Sequence, residues 1–226
     1  MEMKTKAVVF DFDGTLTVGR ANNVWKMLYL ELGYDIGEGS NYRNSFLSFK
    51  NKKYDYASWV EVNKNDFVNA GLNKEIFNKV LKEITLINGL EKTLKTLSKK
   101  GIKLFVLSGN MKYSIEHVLG DLSKYFTEIS ANEAVFDDNG NLTNLIATKY
   151  DFEGKADFIV KVREELGLKP EEITFVGNGS NDIWAYKSGA RTICINPKDA
   201  DEDKSEKWTK VLPNVKDLSE ILEYID

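Results

Sequence analysis

The chain has 226 residues, of which 42% are hydrophobic and 29% charged, and its 31 basic and 35 acidic side chains leave a formal net charge of −4. Such a composition is typical of a globular protein that can bury a core. The slightly acidic balance gives no general attraction for nucleic acid or an anionic membrane, and no apolar run approaches the roughly 20 residues of a membrane-spanning helix. The single cysteine, Cys194, excludes an internal disulfide and favours a cytoplasmic location.

The first predicted strand is the apolar run over residues 7–10, and two carboxylates follow it. Asp11 and Asp13 are one residue apart, so near the strand end both can face the same side. Two like charges at that distance repel unless a cation or a shared proton relieves them. Gly14 lets the chain turn sharply and lets backbone N–H groups approach an anionic ligand. An ordinary acidic turn would explain the same residues taken alone.

The next seventy residues show helical patterns. Four helices are predicted, beginning near Asn23, near Phe46, at Ser58 and at Asn73. Residues 17–86 are therefore predicted to form a small helical domain that is inserted directly after the first strand.

From Leu90 the chain alternates helices and strands, which is typical of a parallel α/β sheet. Strands are predicted over 102–107, 173–176 and 192–195, and helices over 111–120, 155–166 and 218–224. Asn139-Gly140 predicts a β-hairpin turn. The predicted fold class is α/β, with a Rossmann-like parallel sheet core formed by residues 1–16 and 87–226 and an inserted helical cap domain formed by residues 17–86.

Polar residues follow three of the predicted strands: Asp11 and Asp13, Ser108, and the turn from Asn178 to Asp182. Because the carboxyl ends of parallel strands share one edge of a sheet, these residues are expected to meet there. Ser108 is predicted to precede a helix, where free N–H groups bind phosphate, although a serine at that place is also an ordinary helix cap. A solvated surface lysine is the alternative to a functional role for Lys155.

Four segments resemble, in order, the motifs of the haloacid dehalogenase-like hydrolases, and in particular their phosphoserine phosphatase-like branch. The segments are Asp11-Phe12-Asp13-Gly14-Thr15, Leu107-Ser108-Gly109, Lys155, and Gly177-Asn178-Gly179-Ser180-Asn181-Asp182. The resemblance spans essentially the whole chain, including the helical insertion and the hairpin before Lys155.

The resemblance implies a division of labour among these residues. Asp11 would attack phosphorus and form an aspartyl-phosphate, and Asp13 would protonate the leaving oxygen and then deprotonate the hydrolytic water. Mg²⁺ would be held by Asp11, the carbonyl of Asp13, Asn178 and Asp182. The phosphate would be bound by Phe12, Gly14, Ser108, Gly109, Asn110 and Lys155.

Three positions depart from the branch pattern. Asn178 stands where an aspartate is usual, Asn110 follows Ser108-Gly109 where the pattern reads Ser-Gly-Gly, and Arg20 lies near the position of a glutamate that meets the substrate amine. A guanidinium at Arg20 would repel an amine and favour a carboxylate or a second phosphate. Alternatively, Arg20 lies in water or pairs with a carboxylate such as Glu31 or Asp35.

The sequence therefore predicts a Mg²⁺-dependent phosphomonoester hydrolase that acts on a small phosphorylated metabolite, with no nucleic acid or membrane partner. Phosphoserine phosphatase proper is the first alternative. A dehalogenase would not need Asp13, and a phosphomutase would need a cap fitted to a hexose phosphate. A catalytically weak binding or regulatory module on the same fold is the alternative from another class. The oligomeric state stays open.

Overall fold

The computed structural model describes residues 5–19, 23–197 and 206–225. Its strands are β1 (Ala7–Phe10), β2 (Thr17–Val18), β3 (Thr85–Leu86), β4 (Lys103–Met111), β5 (Glu128–Phe136), β6 (Leu142–Ile146), β7 (Ile173–Gly177), β8 (Arg191–Ile195) and β9 (Lys210–Leu212). Its α-helices are α1 (Val24–Glu31), α2 (Asn41–Lys50), α3 (Tyr56–Asn69), α4 (Lys74–Leu81), α5 (Leu90–Lys99), α6 (Lys112–Leu119) and α7 (Gly154–Leu166). Shorter 3₁₀ helices cover Gly120–Tyr125, Pro170–Glu172, Ile183–Ser188 and Leu218–Tyr224.

The main sheet has seven strands in the order β6-β5-β4-β1-β7-β8-β9. All neighbouring pairs are parallel except the β5–β6 hairpin. The chain moves from β1 to β4 on one side and later to β7 on the other, so β1 lies at the point where the strand order reverses. Ligands bind at the carboxyl ends of strands at such a point. The predicted α/β fold class is confirmed.

Helices cover both faces of β1, as its unbroken apolar sequence requires. Val8 and Phe10 pack with α5 in one hydrophobic cluster, and Ala7 and Val9 pack with α7 in another. Alternate residues of a strand point to opposite faces, so this four-residue strand joins two cores. All four side chains are fully buried. The end of β1 is therefore fixed on both sides, and whatever follows it is held firmly.

The helices α1–α4 pack around a third cluster that is rich in aromatic side chains. The chain enters and leaves this region through β2 and β3, which pair antiparallel with each other outside the main sheet. The same cluster includes Leu142 and Leu145 of β6. Backbone bonds from Lys74 N–H to the Gly140 carbonyl and from Leu142 N–H to the Leu72 carbonyl also join the hairpin to these helices. The helical region is thus attached to the sheet through the β5–β6 hairpin as well as through its own two ends.

Several element boundaries differ from the sequence prediction. The third helix begins at Tyr56, because Asp55 caps it and accepts from the Ser58 N–H, so Ser58 lies inside the helix. Residues 218–224 form a 3₁₀ helix instead of an α-helix. In the part of the chain that the structure describes, no helix is long and apolar enough to span a bilayer.

Candidate active site

The carboxyl ends of β1, β4 and β7 surround one pocket of about 240 Å³. Asp11, Asp13, Ser108 and Gly109 line it. The sequence placed these residues at strand ends, and the sheet order brings those ends side by side. On the opposite side, α1, α2 and α3 contribute lining residues, which are Trp25, Lys26, Tyr42, Arg43, Phe46, Lys50 and Trp59.

Lys155 lies beneath this pocket and is fully buried. Its Nζ is 2.9 Å from Asp11 Oδ1, it is also bonded to Asp182, and Asp151 Oδ1 is 4.0 Å away. Burial by itself would lower the pKa of the Lys155 ammonium, but the charges of Asp11, Asp182 and Asp151 outweigh it and raise that pKa above its ordinary value. The lysine is therefore a permanent cation beside Asp11, and the solvated alternative is wrong for it.

Asp13 is held by an unexpected partner. The Nδ2 of Asn110 donates to both carboxylate oxygens of Asp13, at 3.0 and 3.1 Å. The Oδ1 of Asn110 accepts from the backbone N–H of Met111 at 2.6 Å. Asn110 was predicted to bind phosphate; in the structure both polar atoms of its side chain bond to the protein.

The segment after Ser108 differs from the predicted strand-to-helix turn. Strand β4 continues to Met111 across an irregularity in its pairing with β5, and α6 begins only at Lys112. Ser108 is therefore not a helix cap, because three residues of extended chain separate it from the helix. Its Oγ accepts from the Asn110 N–H at 3.1 Å, and the residue is almost fully buried.

The carbonyl oxygen of Gly109 accepts hydrogen bonds from both the inserted helices and the main sheet. Trp25 Nε1 from α1 lies at 3.0 Å, the Tyr56 hydroxyl from α3 at 3.3 Å, and Asn132 Nδ2 from β5 at 2.8 Å. Asn132 also donates to the Asn110 carbonyl at 3.1 Å. The backbone at this end of β4 is thus fixed by the sheet and by the inserted helices together. Sequence analysis identified none of these three donors, since nothing near them in the chain marks them.

The turn after β7 is ordered by Asp182. Its Oδ2 accepts from the backbone N–H groups of Asn178 and Gly179, both at 2.8 Å, and its Oδ1 bonds to Lys155. Both carboxylate oxygens therefore bond to the protein, and the residue is fully buried.

Asn178 packs against the turn that follows β1. Gly14 has φ = +82°, and a Cβ there would lie 2.3 Å from Asn178 Nδ2, so only glycine fits. Asn178 is 3% exposed, and its Oδ1 has no hydrogen-bond partner among the described residues. A buried oxygen acceptor of this kind is costly unless something binds it.

Asp151 is a site residue that sequence analysis missed. It lines the pocket and lies four residues before Lys155 in the chain. Its Oδ1 accepts hydrogen bonds from the Phe152 N–H at 2.8 Å and from Asn181 Nδ2 at 3.2 Å. Its Oδ2 lies so close to Gly109 that a Cβ on that glycine would be only 2.1 Å away. Burial raises the pKa of the Asp151 carboxyl, although Lys155 and these donors partly offset the shift. Asp151 lies outside α7, which begins at Gly154, so no helical spacing links it to Lys155 and the sequence carries no local signal for it.

The predicted metal ligands form no group of three or more acidic, histidine or cysteine side chains, and neither do other residues in the described ranges. Arg20, which was predicted to bind substrate, lies outside the described residues.

Comparison with known proteins identifies the family pattern. The profile of the haloacid dehalogenase-like hydrolases matches residues 5–189. The chain is 26% identical to the phosphoserine phosphatase of Methanocaldococcus jannaschii over the full length of both proteins. It is 30% identical to the probable phosphoserine phosphatase of Schizosaccharomyces pombe over 86% of this chain and 62% of that protein.

The fold of the chain is also similar to solved structures of phosphoserine phosphatases. A phospho-aspartyl intermediate analogue of phosphoserine phosphatase superposes with a TM-score of 0.75 at 26% identity, covering 99% of this chain and 100% of that one. A substrate-bound phosphoserine phosphatase gives the same TM-score at 25% identity over the full length of both chains.

Proposed function

The chain belongs to the haloacid dehalogenase-like hydrolase family, and we propose that it hydrolyses the phosphomonoester of a small phosphorylated metabolite through an aspartyl-phosphate on Asp11. One observation carries this proposal. Asp11, Asp13 and Ser108 line a single pocket, and the buried ammonium of Lys155 lies 2.9 Å from Asp11. Phosphoryl transfer depends chiefly on such positioning and charge neutralisation.

Each residue then has a defined task. An Asp11 oxygen forms a bond to phosphorus while the ester oxygen leaves, and Asp13 gives that oxygen a proton. Asp13 next accepts a proton from the water that attacks phosphorus, so that inorganic phosphate leaves and Asp11 is restored. Lys155 and the Ser108 hydroxyl hold the phosphoryl oxygens.

The residues present fit Mg²⁺. Asp11, the Asp13 carbonyl and the partnerless Asn178 Oδ1 are oxygen donors, which this cation prefers. Asp11, Asp151 and Asp182 surround the Lys155 ammonium, and Asp13 lines the same pocket as Asp11 and Asp151, so the site is rich in oxygen donors. When bound, Mg²⁺ would neutralise charge on the phosphoryl group and the carboxylates. We assign Asp182 to hold the turn and Lys155, because both of its oxygens already bond to the protein.

Residues 17–86 would act as the cap that selects the substrate. Their boundaries coincide with the β2–β3 pair, and their helices supply the far side of the pocket. Lys26, Arg43 and Lys50 line it, and among the described residues none of the three has an ion-pair partner. They favour a substrate with a second anionic group, such as a carboxylate.

Phosphoserine is one candidate of that kind, and the names of the relatives support it. Its ammonium group would need a carboxylate, and Asp151 already accepts two hydrogen bonds. We therefore expect carboxylate-bearing phosphomonoesters without an amine to be turned over at least as well as O-phosphoserine.

The test is turnover of p-nitrophenyl phosphate and of these esters, with and without Mg²⁺. Asp11→Asn is expected to abolish turnover while leaving the circular dichroism spectrum unchanged, and Asp137→Asn in the hairpin turn serves as the matched control. Activity of Asp11→Asn within tenfold of wild type would contradict the assignment of Asp11 as the nucleophile. A wild-type chain that binds the esters but turns over none of them would instead be the binding or regulatory module.

A further inference from the structure

We propose that Asn110 is a positioning residue that orients the Asp13 carboxyl toward the leaving oxygen of the substrate. The inference rests on the proposed function, since it assigns a helper to the general acid of that reaction. The phosphoserine phosphatase-like pattern has glycine at this position, which offers no side chain for the purpose.

The orientation of the Asn110 amide is settled by its surroundings. Its Oδ1 lies 2.6 Å from the Met111 N–H, and a donor of that kind can be met only by the oxygen end of the amide. The NH₂ end must then face Asp13, where it lies 3.0 and 3.1 Å from the two carboxylate oxygens. Asn110 is fully buried, so no water competes for these bonds.

The backbone of Asn110 is held as firmly as its side chain. Its N–H donates to Ser108 Oγ at 3.1 Å, and its carbonyl accepts from Asn132 Nδ2 at 3.1 Å. Asp13, in contrast, is only partly buried and lies on the pocket wall. The rigidly held Asn110 amide therefore contacts the Asp13 carboxyl, and the orientation of that carboxyl decides whether its proton reaches the substrate.

This arrangement assists the step in which Asp13 loses its proton. As the O–H bond of the carboxyl breaks, negative charge appears on its oxygens, and the Asn110 NH₂ is already in place to meet it. Donors that need not reorganise during a reaction stabilise the transition state more than mobile ones. The benefit depends on how much the leaving oxygen needs the proton.

The experiment compares two leaving groups. An alkoxide requires protonation as it leaves, whereas p-nitrophenolate is stable enough to leave without it. General acid catalysis contributes about 10²–10⁴-fold, so loss of part of it in Asn110→Ala is expected to lower kcat for an alkyl phosphomonoester roughly tenfold or more. The kcat for p-nitrophenyl phosphate is expected to fall less than about threefold, with KM for both esters nearly unchanged.

Three comparisons make the test decisive. Asn63→Ala removes another fully buried asparagine, one that donates to the Trp59 carbonyl, and is expected to leave the ratio of the two kcat values unchanged. In an Asp13→Asn background, Asn110→Ala is expected to have no further effect on that ratio. Because alanine leaves the Met111 N–H without its acceptor, Asn110→Asp is measured as well; it keeps the accepting oxygen but lacks the NH₂ donor, and it decides the question where Asn110→Ala does not fold.

Equal losses on both esters, or no loss on either, would overturn the positioning role. Absence of turnover in the wild type, or full activity in Asp11→Asn, would instead overturn the proposed function, so the two failures are distinguishable.

Discussion

The buried ammonium of Lys155 offers a sharp test of the site because its role in stability is separable from turnover. The change is Lys155→Met, which keeps a long apolar side chain but removes the charge. Asp11 and Asp182 would then lose the cation that they bond in a site shielded from water. Breaking a buried ion pair from one side costs about 3–5 kcal/mol, because the remaining charge stays buried and uncompensated.

The same helix provides a matched control. Lys161 lies on α7, contacts an aromatic ring as Lys155 does, and pairs with Glu128 at 2.9 Å. The Lys161 and Glu128 side chains are 32% and 35% exposed, however, so Lys161→Met is expected to cost no more than about 1 kcal/mol. For a chain of this size each kcal/mol lowers Tm by about 2–4 °C, which predicts a loss of roughly 6–20 °C for Lys155→Met.

The assay is thermal and urea unfolding in buffer that contains a chelator, so that no divalent ion substitutes for the lost charge. The raised pKa of Lys155 means that its ion pairs stabilise the folded chain at every pH below the ordinary lysine value of about 10.4, as long as the carboxyls are ionised. Equal losses for Lys155→Met and Lys161→Met at pH 7 would refute the argument that the charge cluster is buried and depends on this ammonium.

Two further predictions concern the carboxyl and amide groups around the pocket. Asp151→Asn is expected to raise the free energy of unfolding at pH 7. Burial raises the pKa of Asp151, so the cost of ionising this carboxyl in the folded chain develops as the pH rises from the unfolded-state pKa of about 3.9 through the raised pKa. Urea titrations at pH 4 and pH 7 measure the gain in stability, and a gain as large at pH 4 as at pH 7 would contradict the prediction. Asn178→Asp is expected to lower Tm in buffer that contains a chelator, since the substitution adds a buried carboxylate. It is also expected to lower the Mg²⁺ concentration needed for half-maximal turnover and for half of the Mg²⁺-induced rise in Tm. An unchanged Mg²⁺ requirement would show that the amide oxygen of Asn178 already suffices.

The framework of the site could be predicted from sequence because its signals are local. The apolar run that precedes Asp11 and Asp13 predicts a buried strand, β1, with both carboxylates at its carboxyl end. The alternation of helices and strands then places Ser108 and Asn178 at the same edge, which the strand order confirms. Asn139-Gly140 likewise predicted the β5–β6 hairpin, which the structure contains.

What sequence could not supply depends on contacts between distant residues. The two-residue strands β2 and β3 are too short to leave a pattern, and they form only because each pairs with the other. The continuation of β4 beyond Ser108 depends on pairing between Met111 and Asn132 of β5. The side chains of Asp151 and Lys155 carry no local mark of burial, since only the fold encloses them.

The Gly109 carbonyl shows why the sheet and the inserted helices must be considered together. A carbonyl oxygen has two lone pairs, and here donors from α1, α3 and β5 all approach one oxygen. Trp25 and Tyr56 therefore do more than fill the aromatic cluster, because their polar atoms bond to the backbone between Ser108 and Asn110. Asn110 in turn holds Asp13. A displacement of α1 or α3 would thus remove hydrogen bonds from the end of β4 that contacts Asp13, so the proposed substrate selection by the helices and the proposed proton transfer by Asp13 would share one set of contacts.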